Sequence, residues 1–543
     1  MELMEASATS PASDGRVDVN SEHTNLGQEK APSTTPPPPE DSRYFEGKKL
    51  IIVHGAMLSS VLLIALDQSI VATAIPRIVS HFHALSSAGF ILFYGKLLAI
   101  FPTKYVYLTA ITIFELGSLV CAVSKSMNVL IFGRAFSGVG AAGIFSSVVA
   151  IIAEIAPIQK RPLLFGSFGA VFALASVMGP LLGGVFTDHV SWRWCFYINL
   201  PIGAVSVFVI VLFLKAEYTA LNRSDNLEFN VWQRWLRLDW AGTFMCLGIV
   251  TSLLLPLQWG GNTKAWNDRV VIALFCVFGI VLIAFILLEW KMGKRAMLPL
   301  HMFRRRTQIG CCLTSFFVMM MLLVGIYYLP LFYQAKGRSA TKSGIDILPF
   351  MLSVVVGAGT SGGVIAATGR YWYWLLLSPL VASIGAGLLF TMDRSMSQSR
   401  LIGYQILYGI GIGGALQNSF IAIQAEYNSA EHMIPQSSSM VQFTQLIGGI
   451  AGIAIAGSIF ANQLVKELAK FAPNLPPTVT YIFTLPLNER DAVISAYSRS
   501  LGYAWLLSVP CGIFASLSSF FLIRNYNIRK LNMPAGGGGG GGV

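Results

Sequence analysis

The sequence predicts an all-α polytopic membrane protein, and its composition and the spacing of its apolar residues support that prediction. Of the 543 residues, 54% are hydrophobic and only 12% are charged, whereas about a quarter of the residues in soluble domains are charged. The apolar residues form runs of roughly 20, the length at which a helix crosses a bilayer. Because unpaired backbone groups are costly in hydrocarbon, these runs are predicted to be helices.

Fourteen apolar runs are predicted to span the membrane, although the second is short and contains Lys96. They cover residues 50–74, 88–101, 105–123, 128–154, 163–186, 195–214, 239–257, 269–290, 309–333, 343–366, 373–391, 401–424, 440–461 and 502–523.

Lysine and arginine collect in the loops that fourteen spans place on the same side as both termini. The loop between the eighth and ninth runs is the most basic, and it includes Arg304, Arg305 and Arg306. By the positive-inside rule, these loops and both termini are predicted to be cytoplasmic. Contact with anionic lipid then accounts for the net charge of +12, and no nucleic-acid partner is expected. Residues 461–501 are predicted to form one long external loop.

Glycine-rich helices recur at an interval of eight spans, in the fourth and twelfth runs and in the fifth and thirteenth. This repeat predicts two six-helix halves with two helices inserted between them, as in transporters that rock around a central site. The predicted divisions are a disordered cytoplasmic tail (1–49), an N-terminal six-helix bundle (50–214), the two inserted helices with their cytoplasmic loops (215–308), a C-terminal six-helix bundle (309–523) and a Gly-rich cytoplasmic tail (524–543).

Three motifs carry a family resemblance: LDQSIVATAIP at residues 66–76, GRAFSGVGAAG at 133–143 and GPLLGG at 179–184. With these motifs the chain resembles the fungal drug:proton antiporters with fourteen spans, within the major facilitator superfamily. The resemblance extends from about residue 50 to residue 524. It implies the major facilitator fold, with two six-helix bundles plus two inserted helices.

The second span departs from the family pattern, because about 15 residues of its first half are absent between Ser87 and Gly95. The remaining apolar stretch of some 14 residues reaches only about 21 Å, short of a hydrocarbon core of about 30 Å. The sequence therefore predicts a truncated second helix.

Three charged residues inside the runs are candidates for proton coupling. Asp67 and Arg134 lie at similar depths below the outer ends of the first and fourth runs, so they are predicted to be able to pair. Glu115 in the third run reaches about the same level. An ionisable group in a membrane is by default a functional hypothesis, and the resemblance supports a coupling role for Asp67 and Arg134. A purely structural ion pair is the alternative.

A second group of residues is predicted to serve gating and helix packing. Glycine permits close helix approach, and proline removes a backbone donor and allows a bend. The resemblance further associates the GPLLGG motif with export. Glu154 is expected to make interfacial contacts near Lys160 and Arg161, either at a gate or as a solvated pair. The packing candidates are Gly138, Gly140, Gly179, Pro180, Gly183 and Gly184.

Amide and aromatic side chains within or beside the runs are candidates for lining a substrate site. Such groups suit an amphipathic organic molecule, although aromatic residues also form ordinary interfacial belts. The candidates are Gln68, Asn199, Gln258, Trp259, Tyr327, Tyr328, Gln334, Gln417 and Asn418.

The function expected from the resemblance is proton-coupled efflux of a small amphipathic organic compound, such as a fungal secondary metabolite, toxin or drug, by alternating access. Uptake of a nutrient or siderophore is one alternative, and a non-transporting splice form or membrane sensor is another. No P-loop motif and no zinc-like spacing occurs, so no ATP, cofactor or metal is expected and the chain is not expected to be an enzyme. We expect a monomer in the plasma membrane, with the vacuolar membrane as the alternative.

Overall fold

A computed structural model describes residues 44–74, 77–214, 230–260, 264–392, 396–468, 470 and 487–531. Within these ranges the regular secondary structure is helical, apart from two isolated bridges. The α-helices are α1 (Gly47–Ala74), α2 (Arg77–Ile100), α3 (Thr103–Ala122), α4 (Met127–Ile155), α5 (Arg161–His189), α6 (Trp194–Tyr197), α7 (Asn199–Phe213), α8 (Val231–Leu236), α9 (Trp240–Trp259), α10 (Arg269–Met292), α11 (Arg306–Ala335), α12 (Ala340–Asp346), α13 (Leu348–Thr368), α14 (Trp372–Phe390), α15 (Gln398–Leu416), α16 (Asn418–Glu426), α17 (Ile434–Leu468), α18 (Leu487–Leu506) and α19 (Ser508–Leu522).

Twelve helices in the described part of the chain are long and apolar enough to cross a membrane. The predicted all-helical membrane fold is confirmed, but the predicted count of fourteen spans is not. The second and fifth predicted spans are absent from the twelve. In α2 the apolar part is the shorter stretch Leu85–Ile100. Helix α5 is continuous over 29 residues, but several of its side chains lie outside the described residues.

Helix α2 is longer than predicted. It contains 24 residues, Arg77–Ile100, where the sequence predicted a helix only over 88–101. At 1.5 Å per residue this length reaches about 36 Å, enough for a hydrocarbon core of about 30 Å. The prediction failed because it counted apolar residues only. The helix instead continues through residues 77–87, since helical hydrogen bonding satisfies the backbone even where the side chains are polar.

Three other predicted boundaries are also wrong. The first helix begins at Gly47, inside the predicted tail, while residues 1–43 lie outside the described residues. The predicted external loop 461–501 is partly helical, because α17 continues to Leu468 and α18 begins at Leu487. The last described residues, 524–531, pack against the helix bundle, and the Gly-rich segment lies beyond them.

The helix packing repeats between α1–α7 and α11–α19, here named the first and second halves. Helix α1 packs on α5 and α7, as α11 packs on α17 and α19; α2 and α3 pack on α4, as α13 and α14 pack on α15. The most extensive contacts between the halves are those of α2 with α17 and of α5 with α13. Helix α9 pairs with α10 and also packs against α2 and α17. The glycine repeat of the sequence thus corresponds to a repeat in packing.

Close backbone approach is needed at equivalent positions in the two halves. A Cβ on Gly117 of α3 would lie 2.7 Å from Cα of Ser137 on α4, and a Cβ on Gly385 of α14 would lie 2.7 Å from Cα of Tyr408 on α15. In contrast, an added Cβ on Gly387 of α14 would have no heavy atom within 4 Å. The glycine at 385 is therefore required by packing, and the one at 387 is not.

We predict that Gly385→Val lowers the free energy of unfolding by about 1–3 kcal/mol, because it overpacks the α14–α15 crossing. The matched variant Gly387→Val adds the same side chain to the same helix in open space and should change it by less than about 0.5 kcal/mol. Denaturation of the purified protein in detergent micelles measures both. Equal losses in the two variants would contradict the packing described.

Candidate functional site in the first half

An ion pair between Asp67 of α1 and Arg134 of α4 lies at the centre of the first half. Arg134 Nη1 donates hydrogen bonds to both carboxylate oxygens of Asp67, each at 2.7 Å. The Asp67 side chain is 0% exposed and the Arg134 side chain is 1% exposed. Burial of either charge alone would be costly, so the two stabilise each other in an environment from which water is excluded. The structure thus brings together the two residues whose similar depths the sequence indicated.

Side chains from three further helical segments surround this ion pair. Asn199 Nδ2, at the start of α7, lies 3.5 Å from Asp67 Oδ1 and donates to Ser118 Oγ of α3 at 3.2 Å. The guanidinium carbon of Arg134 lies 5.8 Å from the ring centre of Phe196 on α6. Asn199 was predicted to line a substrate site, and the structure places it beside the ion pair.

His83 is a member of this site that sequence reasoning missed. It lies on α2, 3% exposed, with Nε2 3.7 Å from Asp67 Oδ2. This part of α2 reaches α4 because Gly138 has no side chain: an added Cβ would collide with the His83 carbonyl oxygen, 2.5 Å away. The Ser87 hydroxyl donates to the Gly138 carbonyl at 2.9 Å. The only indication in the sequence was that the second apolar run is too short to cross the bilayer, so residues before it had to be part of the helix.

Glu115 of α3 lies near the ion pair without joining its hydrogen bonds. Its side chain is half-buried and contacts Gly203 of α7, where an added Cβ would collide with it. Among the described residues, neither carboxylate oxygen has a hydrogen-bond partner. The carboxylate is close enough to Asp67 for the two to repel each other electrostatically. The structure therefore places all three predicted coupling residues in one neighbourhood.

The other packing glycines lie at helix crossings around this site. An added Cβ on Gly140 would collide with the backbone of Phe114 on α3, and one on Gly179 would collide with Ser69 on α1. The Ser69 hydroxyl also donates to the Ala175 carbonyl at 2.8 Å.

The rest of the GPLLGG motif is less closely packed. Gly183 is buried, but an added Cβ on Gly184 would have no heavy atom within 4 Å, so the structure provides no packing contact for the predicted role of Gly184. The side chain of Pro180 lies outside the described residues, although α5 continues through it without a break.

The two halves meet tightly at the end of the bundle that carries the basic loops, here named the basic end. The rings of Phe165 on α5 and Phe420 on α16 stack with their centres 6.0 Å apart. Arg161 Nη1 donates to Gln424 Oε1 at 3.3 Å, and both side chains are buried. Glu154, the predicted gate residue, accepts a hydrogen bond from Thr103 Oγ1 at 2.7 Å. The basic end is therefore closed by contacts between the halves.

The remaining substrate candidates in the first half and the inserted pair are dispersed. Gln68 is exposed beside Asp67 on α1. Trp259 is half-buried at the end of α9, with Lys264 Nζ 5.7 Å from its ring centre. The side chain of Gln258 lies outside the described residues.

Three of the five candidates in the second half form hydrogen bonds within that half. The Tyr328 hydroxyl donates to the Ile453 carbonyl at 3.1 Å, Asn418 Nδ2 donates to the Gly414 carbonyl at 2.6 Å, and Gln334 Nε2 donates to Ser343 Oγ at 3.3 Å. Tyr327 is 48% exposed and Gln417 is buried. The eight candidates whose side chains are described are spread over several helices, and their hydrogen bonds go to different partners.

Comparison with known proteins places this architecture among transporters. The family described as "Major Facilitator Superfamily" matches residues 57–453. The chain is 39% identical over 493 residues to "MFS-type efflux pump MFS1" of Trichophyton rubrum, covering 87% of this chain and 91% of the relative. It is 40% identical over 499 residues to "Efflux pump aflT" of Aspergillus parasiticus, covering 88% and 96%.

Two solved structures have a similar fold at low sequence identity. The human organic anion transporter MFSD10 is 14% identical with a TM-score of 0.52, covering 87% of this chain and 100% of that chain. A bacterial homologue of the human lysosomal transporter Spinster is 14% identical with a TM-score of 0.50, covering 88% and 97%. The helical architecture, the match over residues 57–453 and the identity to fungal relatives together show that this multi-pass membrane protein belongs to the major facilitator superfamily.

Proposed function

We propose that this protein exports a small amphipathic organic compound, such as a fungal secondary metabolite, toxin or drug, in exchange for protons. The carrying observation is the buried Asp67–Arg134 ion pair in a chain similar to proteins named efflux pumps. It works as a monomeric transporter of the plasma membrane, without ATP, a cofactor or enzymatic chemistry. The functional division is 50–214 and 309–523 as the rocking bundles, 215–308 as the inserted helices, and fourteen spans in total.

Protonation of Asp67 is the coupling step. A neutral carboxyl group no longer balances Arg134, so the charge on Arg134 must find water or another partner. Since the pair joins α1 to α4, its loss loosens the contacts that hold these helices together, and the first half can rearrange against the second. Release of the proton on the other side restores the pair. Coupling thus requires a carboxylate that can be charged at one stage and neutral at another.

Two alternatives are less well supported. The length of α2, 24 residues, removes the main reason for a non-transporting form, because the helix reaches across the hydrocarbon core despite the shortened apolar run. Uptake is disfavoured by the names of the relatives.

The direction of transport is testable in inside-out plasma-membrane vesicles with an acidic lumen, where accumulation of a fluorescent drug in the lumen corresponds to export. Accumulation by the native chain would exclude a dead form; movement only in the opposite direction would favour uptake.

Asp67→Asn should abolish accumulation driven by the proton gradient, because the amide cannot release and bind the coupling proton. We expect at least a tenfold loss of the initial rate at equal expression, measured with and without an uncoupler. Asp268→Asn is the matched control, since Asp268 caps α10 through the Val270 amide at 2.8 Å and Asn is also a good cap. Unchanged, uncoupler-sensitive transport in Asp67→Asn would refute the coupling proposal.

Arg134→Gln should destabilise the protein by about 3 kcal/mol, since it leaves the Asp67 carboxylate buried without its partner. Asp67→Asn/Arg134→Gln removes both charges and should recover most of that loss. SDS titration of the purified variants in detergent micelles measures the difference. A double variant as unstable as Arg134→Gln alone would show that the two side chains do not stabilise each other. The double variant should remain inactive, which separates the structural role of the pair from its role in coupling.

His83→Gln tests whether the imidazole takes part in coupling. The groups facing His83 are Asp67 on α1 and Arg134 on α4. If His83 exchanges the proton with Asp67, the pH profile of transport should shift in His83→Gln while the protein remains well folded. His189→Gln, at the exposed end of α5, is the control. A pH profile identical to that of the unmodified protein would limit His83 to packing.

A further inference from the structure

A cavity of about 520 Å³ opens at the basic end, between the start of α11, the end of α16 and the segment that follows α19. Its charged lining consists of four arginines and one glutamate, which leaves a net charge of +3 on these five side chains. Its volume falls within the range of about 300–1,000 Å³ typical of ligand sites. The lining includes Arg304, Arg305, Arg306, Glu426, Arg524 and Tyr526.

Glu426 organises one side of this cavity. Its side chain is only 4% exposed, and its Oε1 lies 3.4 Å from Arg305 Nη1 and 3.8 Å from Arg524 Nη1. Arg305 Nη1 also donates to the Glu426 carbonyl at 2.9 Å. Arg524 Nη1 donates to the Tyr526 hydroxyl at 3.0 Å. Two arginines from distant parts of the chain are therefore held in place before any ligand arrives, which lowers the entropic cost of binding.

A neutral aromatic ring supports the same arrangement. The guanidinium carbon of Arg305 lies 4.6 Å from the ring centre of Tyr427. Burial raises the pKa of Tyr427 to about 12, so the ring remains neutral at physiological pH. Arg305 is thus fixed by a carboxylate, a carbonyl and a ring.

Arg304 and Arg306 add two further positive charges to the cavity. Both are exposed, and within the described ranges neither has a carboxylate partner. Helix α11 begins at Arg306, so its first turn adds the partial positive charge of a helix N-terminus at the same place. The cavity therefore combines preorganised and unneutralised guanidinium groups, which form paired hydrogen bonds with phosphate oxygens.

We propose that this cavity binds a phosphate-bearing anion with at least two phosphate groups, either the headgroup of a phosphoinositide in the adjoining membrane or a soluble inositol phosphate. One phosphate would contact Arg305 and Arg524, and another would contact Arg304 and Arg306. Glu426 holds two of these arginines in place, and the net charge of +3 on the charged lining favours a ligand with several negative charges.

Occupation of the cavity would also stabilise the closed basic end. The segment after α19 begins at Arg524, whose carbonyl accepts a hydrogen bond from the Tyr371 hydroxyl at 2.7 Å. Farther along, the Ile528 carbonyl accepts a hydrogen bond from Gln159 Nε2 at 3.2 Å. This segment thus connects the second half to the α4–α5 loop of the first. A ligand that fixes Arg524 would hold that connection in place, so binding should oppose opening at this end.

Inositol hexakisphosphate and a phosphoinositide test the two sources of the ligand. The full chain is purified in detergent, and the affinity for inositol hexakisphosphate is measured by calorimetry at fixed salt. It is also reconstituted in phosphatidylcholine nanodiscs with and without about 5% phosphatidylinositol 4,5-bisphosphate, and bound lipid is counted by native mass spectrometry. The test variant is Arg304→Gln/Arg306→Gln, because both side chains are exposed and their loss should not affect folding. The control is Arg269→Gln/Arg400→Gln, which removes the same charge at the opposite end of the bundle.

We expect at least a tenfold loss of affinity in Arg304→Gln/Arg306→Gln and less than a twofold change in the control. If the variant loses affinity in both assays, the cavity binds phosphate groups from either source. If it loses only phosphoinositide binding in nanodiscs, the ligand is a lipid headgroup. If it loses only inositol hexakisphosphate binding in detergent, the ligand is a soluble inositol phosphate. Absence of binding in both assays, or equal binding by the two double variants, would overturn the proposal. These binding assays do not require transport, so their failure is distinguishable from failure of the export proposal.

Discussion

The buried ion pair between Asp67 and Arg134 is the interaction around which the first half is organised. Two charges are tolerated within a membrane-spanning bundle only if the protein shields them from hydrocarbon and each compensates the other. That enclosure requires neighbouring helices to approach at backbone distance. Glycines make this approach possible at several crossings around the pair: Gly117, Gly138, Gly140, Gly179 and Gly203. Burial of the ion pair therefore depends on these glycines, because a bulkier side chain at the crossings would separate the helices that shield the pair.

Much of this could be predicted from the sequence, because depth in a membrane follows from counting residues along a helix. That count placed Asp67 and Arg134 at one level, and the glycine pattern indicated the repeat in packing. Rotation about a helix axis does not follow from counting. The predicted substrate residues therefore scatter: Asn199 faces the ion pair, while Tyr327 is largely exposed. A run of apolar residues in lipid carries little periodicity to distinguish its faces.

The second half repeats the packing of the first, but among the described residues no ion pair joins α11 to α15 as Asp67 and Arg134 join α1 to α4. Gly385 and Tyr408 occupy the positions that Gly117 and Ser137 occupy in the first half, yet the second half's interior is closed by tyrosine hydrogen bonds, such as that from Tyr408 to the Met321 carbonyl at 2.6 Å. The buried carboxylate described in the second half, Glu426, lies instead at the basic end, where it pairs with Arg305 and Arg524. The two halves thus share a packing pattern but place their buried charges at different levels of the bundle.

The extension of α2 through residues 77–87 has a consequence for how such proteins change over time. When a segment is lost from the middle of a spanning helix, the requirement to cross the bilayer shifts the preceding residues inward along the membrane normal. Residues from outside the apolar stretch can then lie at the depth of buried charges; His83, which precedes the apolar stretch Leu85–Ile100, lies beside Asp67. A deletion can therefore change the chemistry of a buried site without any substitution there, because the length of a helix determines which of its side chains contact the neighbouring helices.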